Sequence, residues 1–148
     1  MFILINMVKD KAIKLRRGWT TGACATAAVK AALIALWSEE FPKSIGIILP
    51  NGESPNFSLL NPKRGNNWTE VGIEKDAGDD PDVTHGCTVV ARVSESDSGI
   101  LFKAGDGVGI VSMAGLPVGV GEPAINPKPR EMMSDVVYEL SKIYDKKI

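Results

Sequence analysis

The stretch "TGACATAAVKAALIALW", Thr21–Trp37, is apolar nearly all round, with Thr26 and Lys30 as its main polar breaks. A helix apolar on most faces is a buried helix, and its small alanines let neighbouring backbones approach closely. Thr20 or Thr21 suits the N-cap, where a hydroxyl accepts from an orphan backbone N–H. At the other end of the chain Met133, Val136, Val137, Leu140, Ile143 and Tyr144 follow an i, i+3, i+4 stripe. That stripe predicts an amphipathic helix, begun by Asn126 or the prolines after it and closed near Lys146 and Lys147, whose charges suit its dipole. Between the two, the period shortens. "KSIGIILPNGESPNFSLL" predicts a hairpin turning at Asn51-Gly52, "NPKRGNN" a loop, and "WTEVGIEK" a strand with Val71, Ile73 and Lys75 on one side. "CTVVARVS" and "GILFKA" read as a second hairpin across "ESDSG". Phe2 to Ile5 read as an N-terminal strand or arm. "GDGVGIVSM" reads as a glycine loop and a short strand, while the Gly and Pro of residues 115–130 argue against regular structure. The expected fold class is α+β over one domain, residues 1–148. A largely antiparallel or mixed sheet is joined by a buried Ala-rich helix and a C-terminal amphipathic helix.

Composition narrows the function. With 148 residues, 44% hydrophobic and 24% charged, the chain can bury a real core. A net charge of -1 leaves no global basic field for nucleic acid, so an anion site has to be local. Cys24 and Cys87 have no zinc-like spacing and make no disulfide framework, so neither a protein-bound metal nor an oxidising compartment is expected. The apolar start is too short for a bilayer span of about 20 residues and lacks the marks of a leader, and Met7 is a second candidate start. A cytoplasmic location without membrane contact is the expectation.

Three stretches carry candidate chemistry. In "RRGWTTGACA", Arg16 and Arg17 precede the Thr20–Thr21–Gly22 helix start, whose free N–H groups, hydroxyls and glycine form an anion cradle or an ordinary N-cap. In "KDAGDDPDVTHG", Asp76, Asp79, Asp80 and Asp82 crowd Thr84 and the only histidine, His85. Such a loop holds a cation, raises a carboxylate pKa for acid–base work, caps a helix, or is a plain turn. The carboxylate spacing is not that of an EF-hand. In "GEPAINPKPR", Glu122, Asn126, Lys128 and Arg130 sit on a proline-locked loop of a length that is more often functional. The pentapeptide Gly105–Gly109, with Asp106 and Gly107, is a weak nucleotide-loop signal. Cys24, in a first helical turn, reads as a small packing residue.

Together, "LRRGWTTGACATAAVKAA", "EKDAGDDPDVTHG" and "GDGVGIVSMAGLPVGVGEPAINPKPR" resemble the CbiD-type proteins of cobalamin biosynthesis, the cobalt-precorrin-5B C1-methyltransferases of the anaerobic vitamin B12 pathway. The resemblance runs from Leu15 to Arg130 and covers what looks like the N-terminal half of chains about twice as long. It implies methyl transfer from S-adenosylmethionine to C1 of a cobalt-bearing tetrapyrrole, giving cobalt-precorrin-6A. It further implies that Arg16, Arg17, Thr20, Thr21, Gly22, Thr84, Glu122, Asn126, Lys128 and Arg130 face the substrate. Asp76, Asp79, Asp80 and His85 become candidate catalytic residues, and Gly105, Asp106, Gly107 and Gly109 candidates for the donor. A separate C-terminal half or a homo-oligomer is the implied protein partner. Two other readings stand beside it: a tetrapyrrole-binding or assembly module that transfers nothing, and a phosphate or nucleotide binder built on "GDGVG".

Overall fold

The computed structural model describes residues 1–9, 20–74, 87–97, 99–105 and 121–148. The element order is β1 (Phe2–Lys9), α1 (Thr21–Ser38), β2 (Ser44–Gly46), β3 (Asn56–Ser58), β4 (Leu60–Gly65), β5 (Trp68–Glu74), β6 (Cys87–Ser94), β7 (Leu101–Ala104) and α2 (Pro127–Ile143). Five strands form one mixed sheet in the order β4-β5-β6-β1-β7, and β2 and β3 form a two-stranded sheet of their own. The α+β class and both helices are as the hydrophobic pattern predicts.

One face of the large sheet presents Ile3, Ile5, Val71, Ile73, Val89, Ala91 and Val93, all essentially buried. α1 lies on that face, in contact with β5 and β6. α2 and the β2 segment pack on the other sides of α1. This explains why α1 is apolar all round: the sheet, the hairpin and α2 each cover part of it. By length and hydropathy α1 qualifies as a membrane span, but 61% of it is buried inside the fold, as in a core helix. Its two main polar breaks are satisfied by backbone carbonyls. Thr26 Oγ1 donates to Gly22 O at 2.7 Å, and Lys30 Nζ donates to Gly46 O at 2.7 Å, tying the helix to β2. Thr69, fully buried, donates to Ala32 O at 2.5 Å and fixes β5 against α1.

Several expectations change. β6 and β7 are not a hairpin: β1 lies between them, antiparallel to β6 and parallel to β7. A strand with Ile3 and Ile5 buried needs ladder partners along its whole length, and the slot between β6 and β7 provides two. "NPKRGNN" is mostly strand β4, an edge strand with a register irregularity between Leu60 and Lys63. Its polar sequence and Pro62 suit an edge, where a missing N–H is tolerated. Arg64 anchors it by donating to Ala35 O at 2.8 Å, with its guanidinium 5.5 Å from the Phe41 ring. Ile143 is not a core residue but is 65% exposed, whereas Met133, Val137 and Leu140 of the same stripe are buried. Within residues 115–130, Pro127–Arg130 form the first turn of α2, with Asn126 as N-cap. The Asn51-Gly52 turn stands as expected. Gly52 has φ +89, which only glycine adopts freely, and Leu49 N donates to Glu53 O at 2.8 Å across the turn.

Candidate functional site

The N-termini of α1 and α2 meet. A Cβ added to Gly22, in the first turn of α1, would lie 2.9 Å from Pro129 Cγ in the first turn of α2. Glycine at 22 is therefore a packing requirement: any side chain would push the two helix starts apart. Beside this contact opens a cleft of about 510 Å³. Its apolar wall comes from Ile5 and Met7 of β1, Ala25 of α1, Ile125, and Met132 and Met133 of α2. Its polar rim is Thr20, Thr21, Asn126 and Lys128.

Each helix start presents positive potential to the cleft. Thr20 caps α1, its Oγ1 accepting from Ala23 N at 3.0 Å, and the first intrahelical bond is Cys24 N to Thr20 O at 3.1 Å. The N–H groups of Thr21 and Gly22 precede that bond and have no intrahelical acceptor. At α2, Pro127 and Pro129 carry no N–H, so Lys128 contributes the one such group there before Arg130 N bonds Asn126 O at 3.3 Å. The Asn126 side chain makes no capping bond, so its amide is not committed to the helix. Lys128 Nζ is 3.8 Å from Glu131 Oε2, a pair open to solvent on both sides. Among the described lining residues there is no carboxylate. The arrangement suits an apolar ligand that carries a carboxylate at its rim.

Of the described candidates, Thr20, Thr21, Gly22, Asn126 and Lys128 are thus brought together at one cleft. Three others are not in its lining. Arg130 turns away to donate from Nε to Ile125 O at 2.8 Å and from Nη2 to Pro123 O at 2.7 Å, with its guanidinium 5.3 Å from the Phe102 ring. It braces the loop that carries Asn126 and ties it to β7. Gly105 follows β7 and donates to Ile5 O at 3.0 Å; a side chain there would collide with Asn6, so its glycine serves close strand approach. Glu122 is exposed on the same loop. Arg16, Arg17, Asp76, Asp79, Asp80, Thr84, His85, Asp106, Gly107 and Gly109 lie outside the described residues, as does Asp82. The apolar wall was missed by reading motifs. Met7, Met132 and Met133 carry no motif, and only the meeting of β1 with α2 makes them neighbours. Cys24 is buried in the core, as a packing residue. Among the described residues no group of three His, Cys, Asp or Glu is placed to hold a metal.

Curated relatives carry the same name. A protein of Rhodospirillum rubrum named cobalt-precorrin-5B C(1)-methyltransferase is 56% identical over 129 residues, which is 86% of this chain and 36% of the relative. Its namesake from Paramagnetospirillum magneticum is 56% identical over 125 residues, 83% of this chain and 35% of the relative. That of Brucella anthropi is 52% identical over 141 residues, 94% of this chain and 38% of the relative. The chain therefore spans little more than a third of the length of these relatives, not the half that the resemblance implied. No solved structure matches it. Residues 8–147 match the CbiD family, and with nearly the whole chain inside that match, the chain belongs to the CbiD family.

Proposed function

We propose that this chain supplies the acceptor-binding part of a cobalt-precorrin-5B C(1)-methyltransferase, a cytoplasmic enzyme that moves a methyl group from S-adenosylmethionine to C1 of cobalt-precorrin-5B. The carrying observation is the apolar cleft of about 510 Å³ with two helix N-termini and Lys128 at its rim. A tetrapyrrole precursor is an apolar ring fringed by carboxylates. Its ring edge matches the accessible Met7 and Met132 side chains, backed by the buried Ile5 and Met133, and its carboxylates match the N–H groups of Thr21, Gly22 and Lys128 together with the Lys128 ammonium. The methyl donor is a sulfonium cation. Positive helix ends repel it, and no described lining residue offers a carboxylate or an aromatic face to offset that. The described cleft offers the sulfonium no partner. That group is assigned to the further length of the relatives, in a separate C-terminal part of the enzyme or in a partner copy. The chain's share of the work is alignment and water exclusion around the acceptor, the main demands of an in-line displacement.

Anaerobic calorimetric titration of the 148-residue chain tests this. A cobalt-corrinoid bearing free carboxylates is expected to bind, and S-adenosylmethionine, which carries the sulfonium, is not. Lys128→Glu is expected to weaken the corrinoid about tenfold, the loss of one charge-assisted contact at about 1.4 kcal/mol. Binding of S-adenosylmethionine with an affinity that Lys128→Glu changes would overturn the assignment and put the donor in this cleft.

A further inference from the structure

A second cleft, of about 360 Å³, lies on the other flank of α2. One wall is the outgoing arm of the hairpin, Ile47 to Pro50, and the other is α2 with Met132 and Val136. Ile48 stands at its edge 79% exposed, the most exposed of the large hydrophobic residues described. Above the apolar floor runs an acidic row: Glu131, Asp135 and Glu139, spaced i, i+4, i+8 on α2. Like charges at that spacing destabilise a free helix by a few tenths of a kcal/mol per pair, roughly as much as opposite charges stabilise it. Lys128 meets Glu131, and Lys30, also in the lining, donates to Gly46 O and is paired with no described carboxylate. Among the described residues no cation lies within ion-pair distance of Asp135 or Glu139.

The open face of the large sheet shows the contrast. Its aromatic residues carry their own cations, Arg92 at 3.8 Å over Trp68 and Lys103 at 4.2 Å over Phe2, and Arg92 is paired with Glu70 at 3.1 Å. That face matches its aromatic rings and its acid with cations, with Leu101 left 43% exposed beside them. In the groove between the hairpin arm and α2 the apolar edge is bare, and although Lys30 and Lys128 also line it, carboxylates outnumber them and Asp135 and Glu139 have no ion pair among the described residues. The relatives that share this chain's sequence are nearly three times the matched length.

We propose that this groove is the docking site for a basic, apolar segment from the region that CbiD proteins carry outside the stretch matched here. Aliphatic side chains of that segment cover Ile48, Met132 and Val136, and its lysines or arginines meet Asp135 and Glu139. The inference rests on family membership and on the groove, and not on which ligand the first cleft holds.

The test is a full-length hybrid in which this chain replaces the matched 129 residues of the Rhodospirillum rubrum relative. Cysteines placed by Ile48→Cys and Glu139→Cys are labelled with a maleimide, read peptide by peptide, in the hybrid and in the 148-residue chain. Docking predicts labelling slower by about tenfold or more in the hybrid, as for any contact that must open before it reacts. Lys103→Cys, on the open sheet face, labels at equal rates in both. The pair Asp135→Lys and Glu139→Lys restores fast labelling of Ile48→Cys in the hybrid. Should the hybrid not fold, the chain is co-expressed with the relative's unmatched region and labelled in the co-purified complex. Equal rates at the groove positions overturn the proposal. So do protection at Lys103→Cys instead, failure of the two co-expressed parts to co-purify, and protection in the isolated chain that grows with its concentration, which would make the occupant a second copy.

Discussion

Asn126 and Arg130 look alike on paper, two polar residues on one proline-bound loop, and the structure separates them. Arg130 is a brace: its guanidinium holds two backbone carbonyls and leans on Phe102. Asn126 is uncommitted, an N-cap that does not cap. Asn126→Ala is therefore expected to change urea-unfolding stability by less than about 0.5 kcal/mol, below the usual cost of losing a true cap, while lowering corrinoid affinity in calorimetry. Arg130→Ala is expected to cost about 1–2 kcal/mol, because two hydrogen bonds from a charged donor are lost, and to weaken the corrinoid only through the loosened loop. Equal stability loss in the two variants would remove the distinction. From the sequence both residues read as substrate contacts, since a motif shows which side chains are available and not which carbonyls consume them.

α1 shows how an element is specified and where it is imperfect. Its start is strong, with Thr20 capping Ala23 N. Its end is strained: Glu39 closes the helix at φ 68, a left-handed conformation that a residue with a Cβ adopts at a cost, although its N–H does bond Ala35 O at 3.0 Å. Glu39→Gly is expected to raise stability by about 0.5–1 kcal/mol in thermal or urea unfolding, by relieving that strain at an exposed position. No gain would mean that the glycine's extra unfolded-state freedom cancels it. The helix itself was legible from its apolar run and its cap. The edge strand β4 was not, because "NPKRGNN" has the composition of a turn. It is a strand only because β5 offers a ladder on one side and α1 offers Arg64 the carbonyl of Ala35.

At the scale of the molecule, one apolar cluster joins the inner sheet face, α1, the hairpin and α2. Trp37 lies at the far end of it, its ring 6.1 Å from Tyr144 after α2 and its Nε1 donating to Glu95 Oε1 at 2.9 Å. If that cluster acts as a single unit, far-UV dichroism and tryptophan fluorescence should report coincident urea transitions. Separation of the two curves would show α2 leaving before the sheet.

By itself the sequence determined the buried helix, the amphipathic helix, the Asn51-Gly52 hairpin and the family, because each is written in neighbouring residues: an apolar run, a 3.6-residue stripe, a turn pair, a long motif. Only the tertiary structure decided that β1 slips between β6 and β7, that Gly22 is a contact point for Pro129, and that Met7 and Met132 share a wall with Thr21 and Lys128. Those facts depend on which distant segments meet. That is settled by the competition among all apolar surfaces and unpaired backbone groups at once, and no local stretch records its outcome.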